Sequence, residues 1–338
     1  HYYRGNIFFP MGKIEGCLSE QQLALEHARR AGSVENEARA LSGLGDAYYS
    51  RGRMAAALDY FERCVALCQA NGIRRIEAGN RYMIAWCRLY RNEVEGALEE
   101  ARRAVTAAVE IGHRRAEVVA RLTLGRSLLA AGQDTDAAAI LKEGRALVRG
   151  IGANRFLPFY AIFEARIGYA AGEAPATLLE NLETELAISR ETGLGFLGPW
   201  VLSTMALVGD SGEARQAALA EGEELLGGSC VGHSYFGFYI DAMEIALGDG
   251  DWDACERYGE ALAAFMAEEP LAGPSFWIER AQALSAIGRA GVADEAMKAE
   301  VERLLAIAVA ANLVPAQPAL KAVLSGSTRL PERSITVT

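Results

Sequence analysis

Histidine is scarce in this chain, four residues in 338. One of them, His233, stands in GHSYFGFYID beside Tyr235, Tyr239 and Asp241. Two more aromatic stretches belong to the same half of the chain. GFLGPW carries Phe196 and Trp200, and SFWIER carries Phe276, Trp277 and Arg280. An imidazole, phenols, a carboxylate and a guanidinium at the starts of helices are groups that line small-ligand pockets, and the imidazole would also respond to pH. The alternative is a histidine satisfied as a helix cap or inside a core.

No other group of residues has the spacing of a reaction centre. There is no GxxxxGK[ST] phosphate cradle, no HExxH, no DxDxDG and no GxSxG, and no GxGxxG follows a strand. Six cysteines occur without a CxxC pair. The nearest two, Cys64 and Cys68, lie four apart on one helix and read as small apolar fillers. With no base, nucleophile or metal set converging, the expectation is a non-enzyme with no catalytic residue, no metal and no cofactor. A net charge of −10 argues against whole-surface attraction to DNA or anionic membranes. Scattered thiols and the lack of a signal-peptide pattern in HYYRGNIFFPMG suit a cytoplasmic protein. The apolar run TGLGFLGPWVLSTMALVG is broken by glycines and a proline, so it reads as loop and buried helix rather than a membrane span.

The elements that carry these residues are legible from a misplaced glycine. LSGLGDAYYSRGRMAAALDYFERCVAL has helical spacing of its apolar residues, yet Gly45 sits in its apolar face. A glycine there costs ~1 kcal/mol relative to alanine. Steps of 40 residues explain it. Gly5, Gly45, Ala85, Gly125 and Ala165 are all tiny, and Cys17, Ala57, Ala97, Ala137, Thr177 and Ala217 are all small. Gly12, Gly52, Asn92, Gly132, Gly172 and Gly212 are residues that tolerate a left-handed turn. Gly32, Gly72, Gly112, Gly152 and, one residue late, Gly193 fall where second helices should end. Each unit therefore reads helix, tight turn, helix, loop, and Gly45 gives up propensity for a close helix crossing.

LGDAYYSRGRMAAALDYFERCVAL resembles a tetratricopeptide repeat, with Leu44, Gly45, Tyr48, Gly52, Ala57, Phe61 and Cys64 on the signature positions. LGRSLLAAGQDTDAAAILKEGRAL resembles it again through Leu124, Gly125, Leu128, Gly132, Ala137 and Leu141. The usual repeat is about 34 residues, so these units are longer. The resemblance implies an all-α, right-handed α-solenoid of about eight stacked helix pairs, then a short helix near residues 315–324. Repeats are expected to be regular over 1–192 and less regular over 193–324, with a polar tail at 325–338. The chain also resembles the C-terminal repeat region of large bacterial signalling proteins that carry a class III adenylate cyclase domain and a P-loop ATPase domain. RGNIFFPMG, ALSGLGDAYYSRGRM, ISRETGLGFLGPWVL, GSCVGHSYFGFYIDAMEIAL and GDWD carry that likeness. It implies a regulatory module whose catalytic domains lie elsewhere.

Repeat-family geometry implies that the first helices line a concave groove. The groove positions are then Tyr2, Asn6 and Phe9; Arg39, Asp46 and Tyr49; Tyr82, Trp86 and Tyr90; Arg126; and Phe159, Arg166 and Tyr169. Tyrosine, tryptophan and arginine are the residues of interface hot spots, so the expected occupant is a protein or peptide. The alternative is that longer helices bury these aromatics. A second expectation is a small-molecule sensor using Trp200, His233, Tyr235, Tyr239, Asp241, Trp277 and Arg280. A third, the least favoured, is RNA along an edge formed by Arg74, Arg75, Arg114 and Arg115 with Arg102 and Arg103. That edge would otherwise be a solvated one paired with Glu77, Glu99, Glu100 and Glu117. Self-association through the end repeats is also open.

Overall fold

In the computed structural model the described residues are 1–9, 11 and 13–327, with Thr192 described in its backbone only. Gly12 of the turn series and residues 328–338 of the expected tail lie outside them.

Seventeen α-helices and two short 3-10 turns make up the described residues, with no strand among them. They run as pairs. The first four are α1 (Tyr2–Phe8) with α2 (Ile14–Arg30), α3 (Val34–Ser50) with α4 (Met54–Ala70), α5 (Arg74–Leu89) with α6 (Val94–Glu110), and α7 (Arg114–Ala130) with α8 (Asp134–Ile151). The next four are α9 (Leu157–Ala170) with α10 (Pro175–Thr192), α11 (Leu194–Val208) with α12 (Gly212–Leu226), α13 (Gly232–Asp249) with α14 (Trp252–Phe265), and α15 (Ala272–Ala290) with α16 (Glu295–Ala310). A last helix, α17 (Gln317–Leu324), follows the 3-10 turn Val314–Ala316. The stack is an α-solenoid.

The long repeat has a simple origin. Helices α3 and α4 are each 17 residues, and each ends in a three-residue turn. Gly32, Gly52, Gly72, Asn92, Gly112, Gly132, Gly152 and Gly172 all hold positive φ between 60° and 77°. The same left-handed turn therefore closes both helices of a unit, and two such steps make the 40-residue period. Gly212 departs from the series because it lies inside the first turn of α12. Gly45 meets its expected role against a larger partner: a Cβ there would stand 2.5 Å from the Phe61 ring of α4. The glycine is the hole that a core phenylalanine fills.

The solenoid coils back onto itself, and this decides what its inner face can do. The turn after α3 meets the units five further on. The Glu269 carboxylate accepts from the Ala55 and Ala56 amides at 2.8 and 3.2 Å, capping α4 from the α14–α15 loop, and Arg53 pairs with Glu268. The Gly273 amide of α15 donates to the Tyr90 carbonyl at 2.9 Å, and Asn92 Nδ2 donates to the Ala272 carbonyl. Asn312 Nδ2 donates to Glu95 at 2.7 Å. Successive coils thus touch, and the inner face is mostly filled. None of the helices is long and apolar enough to cross a membrane among the described residues.

Candidate functional site

One sizeable opening remains on the inner face. It is a cavity of about 270 Å³ between the first helices of the early units and the start of α13. Asn6 and Phe9 bound it from α1 and the residue after it, Asp46 and Tyr49 from α3, and Tyr82 and Trp86 from α5. Phe156, Phe159 and Phe196 form aromatic walls, and His233 closes the far side. Phe159 meets the rings of Trp86, Phe196, Trp200 and His233 edge-on or tilted, with centroids 5.1 to 6.1 Å apart. Such a stack is rigid and apolar.

Two arginines stand at this cavity: Arg115 from the first turn of α7 and Arg155 from the 3-10 turn Asn154–Phe156. Neither is among the residues with a carboxylate partner, and Arg155 rests on the Phe156 ring at 4.7 Å. Burial, then the like charge of Arg115, pulls the Arg155 pKa down. Facing them, burial pushes Asp46 up to about 7 despite both arginines. The Tyr82 phenol is pushed up to about 12, first by burial and then by Asp46. The cavity therefore combines an aromatic floor, two guanidinium groups that are free to bind and one carboxyl that ionises near neutrality. That arrangement can take an anionic group attached to an apolar body.

His233 is a structural residue of this wall. It is 1% exposed, and burial drives its pKa down to about 3. Its Nε2 lies 2.5 Å from the Phe196 carbonyl, which can only accept, so Nε2 carries the proton and Nδ1 accepts from the Tyr49 hydroxyl at 2.9 Å. The imidazole stays neutral at physiological pH, so it does not sense pH there. It ties α13 to α3 across one full coil.

The two groups of residues expected to form separate sites are partly merged and partly buried. Asn6, Phe9, Asp46, Tyr49, Tyr82, Trp86, Phe159 and His233 share the cavity. The expected open groove extends no further, because returning helices cover it. Tyr90, Arg126 and Arg166 are 2%, 1% and 1% exposed, and Tyr169 is half-buried. In the later half Trp200, Asp241, Trp277 and Arg280 are also buried, while Tyr235 and Tyr239 are partly exposed away from the cavity. Arg166 Nη2 donates to both Asp241 oxygens at 2.7 Å, Ser203 adds a third bond to that carboxylate, and Arg280 pairs with Glu244. These polar residues hold nearby units of the stack together instead of lining the cavity.

The basic edge is also reassigned. Arg74 pairs with Glu110, Arg103 with Glu99, and Arg114 with Glu117. Arg114 and Arg115 cannot share an edge, because neighbouring helical residues point about 100° apart. Arg115 turns inward to the cavity. Sequence reasoning missed that, and it missed Arg155 and Phe156 entirely. They lie in a short 3-10 turn where a regular inter-unit loop would stand, and the 40-residue pattern carries no signal for it.

The repeat architecture makes the described residues an α-solenoid of stacked helix pairs with one sizeable cavity on its inner face. Residues 1–70 match the tetratricopeptide repeat family. Two solved structures share the fold. A Rap protein complexed with competence and sporulation factor matches at 14% identity with a TM-score of 0.64, covering 79% of this chain and 74% of that one. Aspartyl phosphate phosphatase F from Bacillus subtilis matches at 15% identity with a TM-score of 0.58, covering 80% and 70%. No curated protein matches.

Proposed function

We propose that this chain is a non-catalytic interaction module that holds the carboxylate-bearing end of a peptide in the inner-face cavity and so regulates a signalling partner. The observation that carries the reading is the pair Arg115 and Arg155, without carboxylate partners, over an aromatic floor. Elsewhere the arginines of this chain are mostly matched to glutamates or aspartates, as Arg81 is to Glu77 and Glu100 and Arg145 to Glu164 and Glu185. Two unmatched guanidinium groups at one cavity are built for an anion that comes from outside. The Rap structure supports the reading to this extent: a chain of this fold was solved in complex with a factor. A cytoplasmic setting, attachment to cyclase and ATPase domains, and self-association remain part of the proposal on the sequence resemblance and composition alone.

The cavity also suits a free aromatic carboxylate, the small-molecule reading, and the same chemistry serves both. Immobilised chain, exposed to a randomised tetrapeptide library, distinguishes them. Enrichment of free-acid peptides over their amidated counterparts supports the peptide reading. Enrichment of neither, with displacement of a bound small aromatic carboxylate, moves the assignment to a metabolite. Equal retention of acid and amide forms would remove the role given to the arginines. The RNA reading gains no support, since three of its six arginines are paired with acidic side chains and Arg115 turns inward to the cavity.

A further inference from the structure

A third arginine is stranger than either of these. Arg126 of α7 is 1% exposed, and no carboxylate pairs with it. Its guanidinium carbon lies 4.3 Å from the Trp86 ring centroid, 4.6 Å from Tyr90 and 5.9 Å from Trp200. Ring faces attract a cation, but they do not accept its N–H bonds. Arg126 Nε and Nη1 are both buried without a hydrogen-bond acceptor. The indole nitrogen of Trp200 is likewise buried without one. The Tyr90 hydroxyl is within hydrogen-bonding reach of Trp86 and Arg126, but it is neutral, so the guanidinium charge stays uncompensated. Buried polar groups in folded proteins are almost always satisfied, and a buried charge is normally compensated.

Water alone would serve the N–H groups and leave the charge. An acceptor that also carries negative charge serves both. Arg126 and Tyr90 border a second cavity, of about 20 Å³, closed by Asn92, Pro274 and Trp277. That is room for one water-sized occupant and no more. The neighbouring Tyr49 phenol, which donates to His233, feels the Arg126 charge as well and supplies no counter-charge. We propose that Arg126 and Tyr90, at the small cavity they share with Asn92 and Trp277, form a buried site for a monatomic anion, chloride in the cell. The anion joins the turn after α5, α7 and the returning helix α15, so it holds the coil closed. The site is separate from the peptide cavity and does not depend on its assignment.

Crystals of the full chain grown in bromide test this directly. An anomalous peak in contact with the Arg126 guanidinium is the expected result. Bromide at surface sites only, or no peak, overturns the proposal. Thermal unfolding at constant ionic strength gives the second readout. Replacing gluconate with chloride should raise Tm saturably, by about 2–4 °C once the site fills. Tyr90→Phe keeps the ring and removes the hydroxyl at the cavity, so it should weaken the chloride response several-fold. Arg126→Met should abolish it. An equal response in wild type and both variants would show that chloride acts elsewhere, and it overturns the site. Should Arg126→Met fail to fold, the bromide map and Tyr90→Phe still decide.

Discussion

The arginines of the coil interior and those of the inner-face cavity make opposite use of the same side chain. Arg166 and Arg280 are buried and each is held by a carboxylate, Asp241 or Glu244, from α13. Arg115 and Arg155 stand at an opening and have none. Matched charges in the dry interior fix how nearby units sit on one another, which is a structural task. Unmatched charges beside apolar rings leave their attraction for something that arrives. The difference separates scaffold from site more sharply than residue type does, since both regions are rich in arginine and aromatics.

The largest effect should come from breaking a matched pair. Asp241→Ala leaves Arg166 buried without its carboxylate, and about 3–5 kcal/mol of stability should be lost in chemical denaturation. A loss below about 1 kcal/mol would put Arg166 in the same class as the cavity arginines.

Acid should act on the scaffold through His233. Its folded pKa, about 3, lies below the unfolded value of 6.5. The unfolded chain therefore takes up the proton first, and stability is full above about 6.5 and falls as pH drops toward 3. His233→Gln should flatten that part of the pH–stability curve. An unchanged curve would mean that carboxylates, not this imidazole, set acid sensitivity.

Gly45→Ala should cost about 1–3 kcal/mol, since the new methyl meets the Phe61 ring. A gain in stability would mean that helix propensity outweighs the crossing. By contrast, Arg115→Ala with Arg155→Ala should change stability by no more than about 1 kcal/mol. The smallest effect concerns Asp46. It faces Tyr2 of α1, Cys17 of α2, Tyr82 of α5, Arg115 and Arg155. Ionised, it competes for the two guanidinium groups. Affinity for a peptide carboxylate should therefore fall a few-fold as pH rises through about 7, and Asp46→Asn should remove that slope.

Much of the scaffold was legible in the sequence because it repeats. Gly45, Gly52 and Asn92 mark crossings and turns that recur, and local sterics act the same way at each copy. The candidate site was half legible. Groove positions such as Asp46, Tyr82 and Trp86 followed from the geometry of a single unit. The return of the coil did not, since it depends on contacts five units apart, such as Glu269 on α4. Tyr90, Arg166 and Trp277 therefore looked available when they are enclosed. Arg155 was missed for the complementary reason: it occupies an irregular turn that no neighbouring unit repeats.

The most direct test is a calorimetric titration of a library-selected tetrapeptide, as free acid and as amide, into the wild-type chain and the Arg115→Ala/Arg155→Ala variant. Saturable binding of the free acid, weakened by roughly tenfold or more on amidation or in the variant, is the predicted result. Equal affinity of acid and amide, or of wild type and variant, would contradict the assignment of the inner-face cavity.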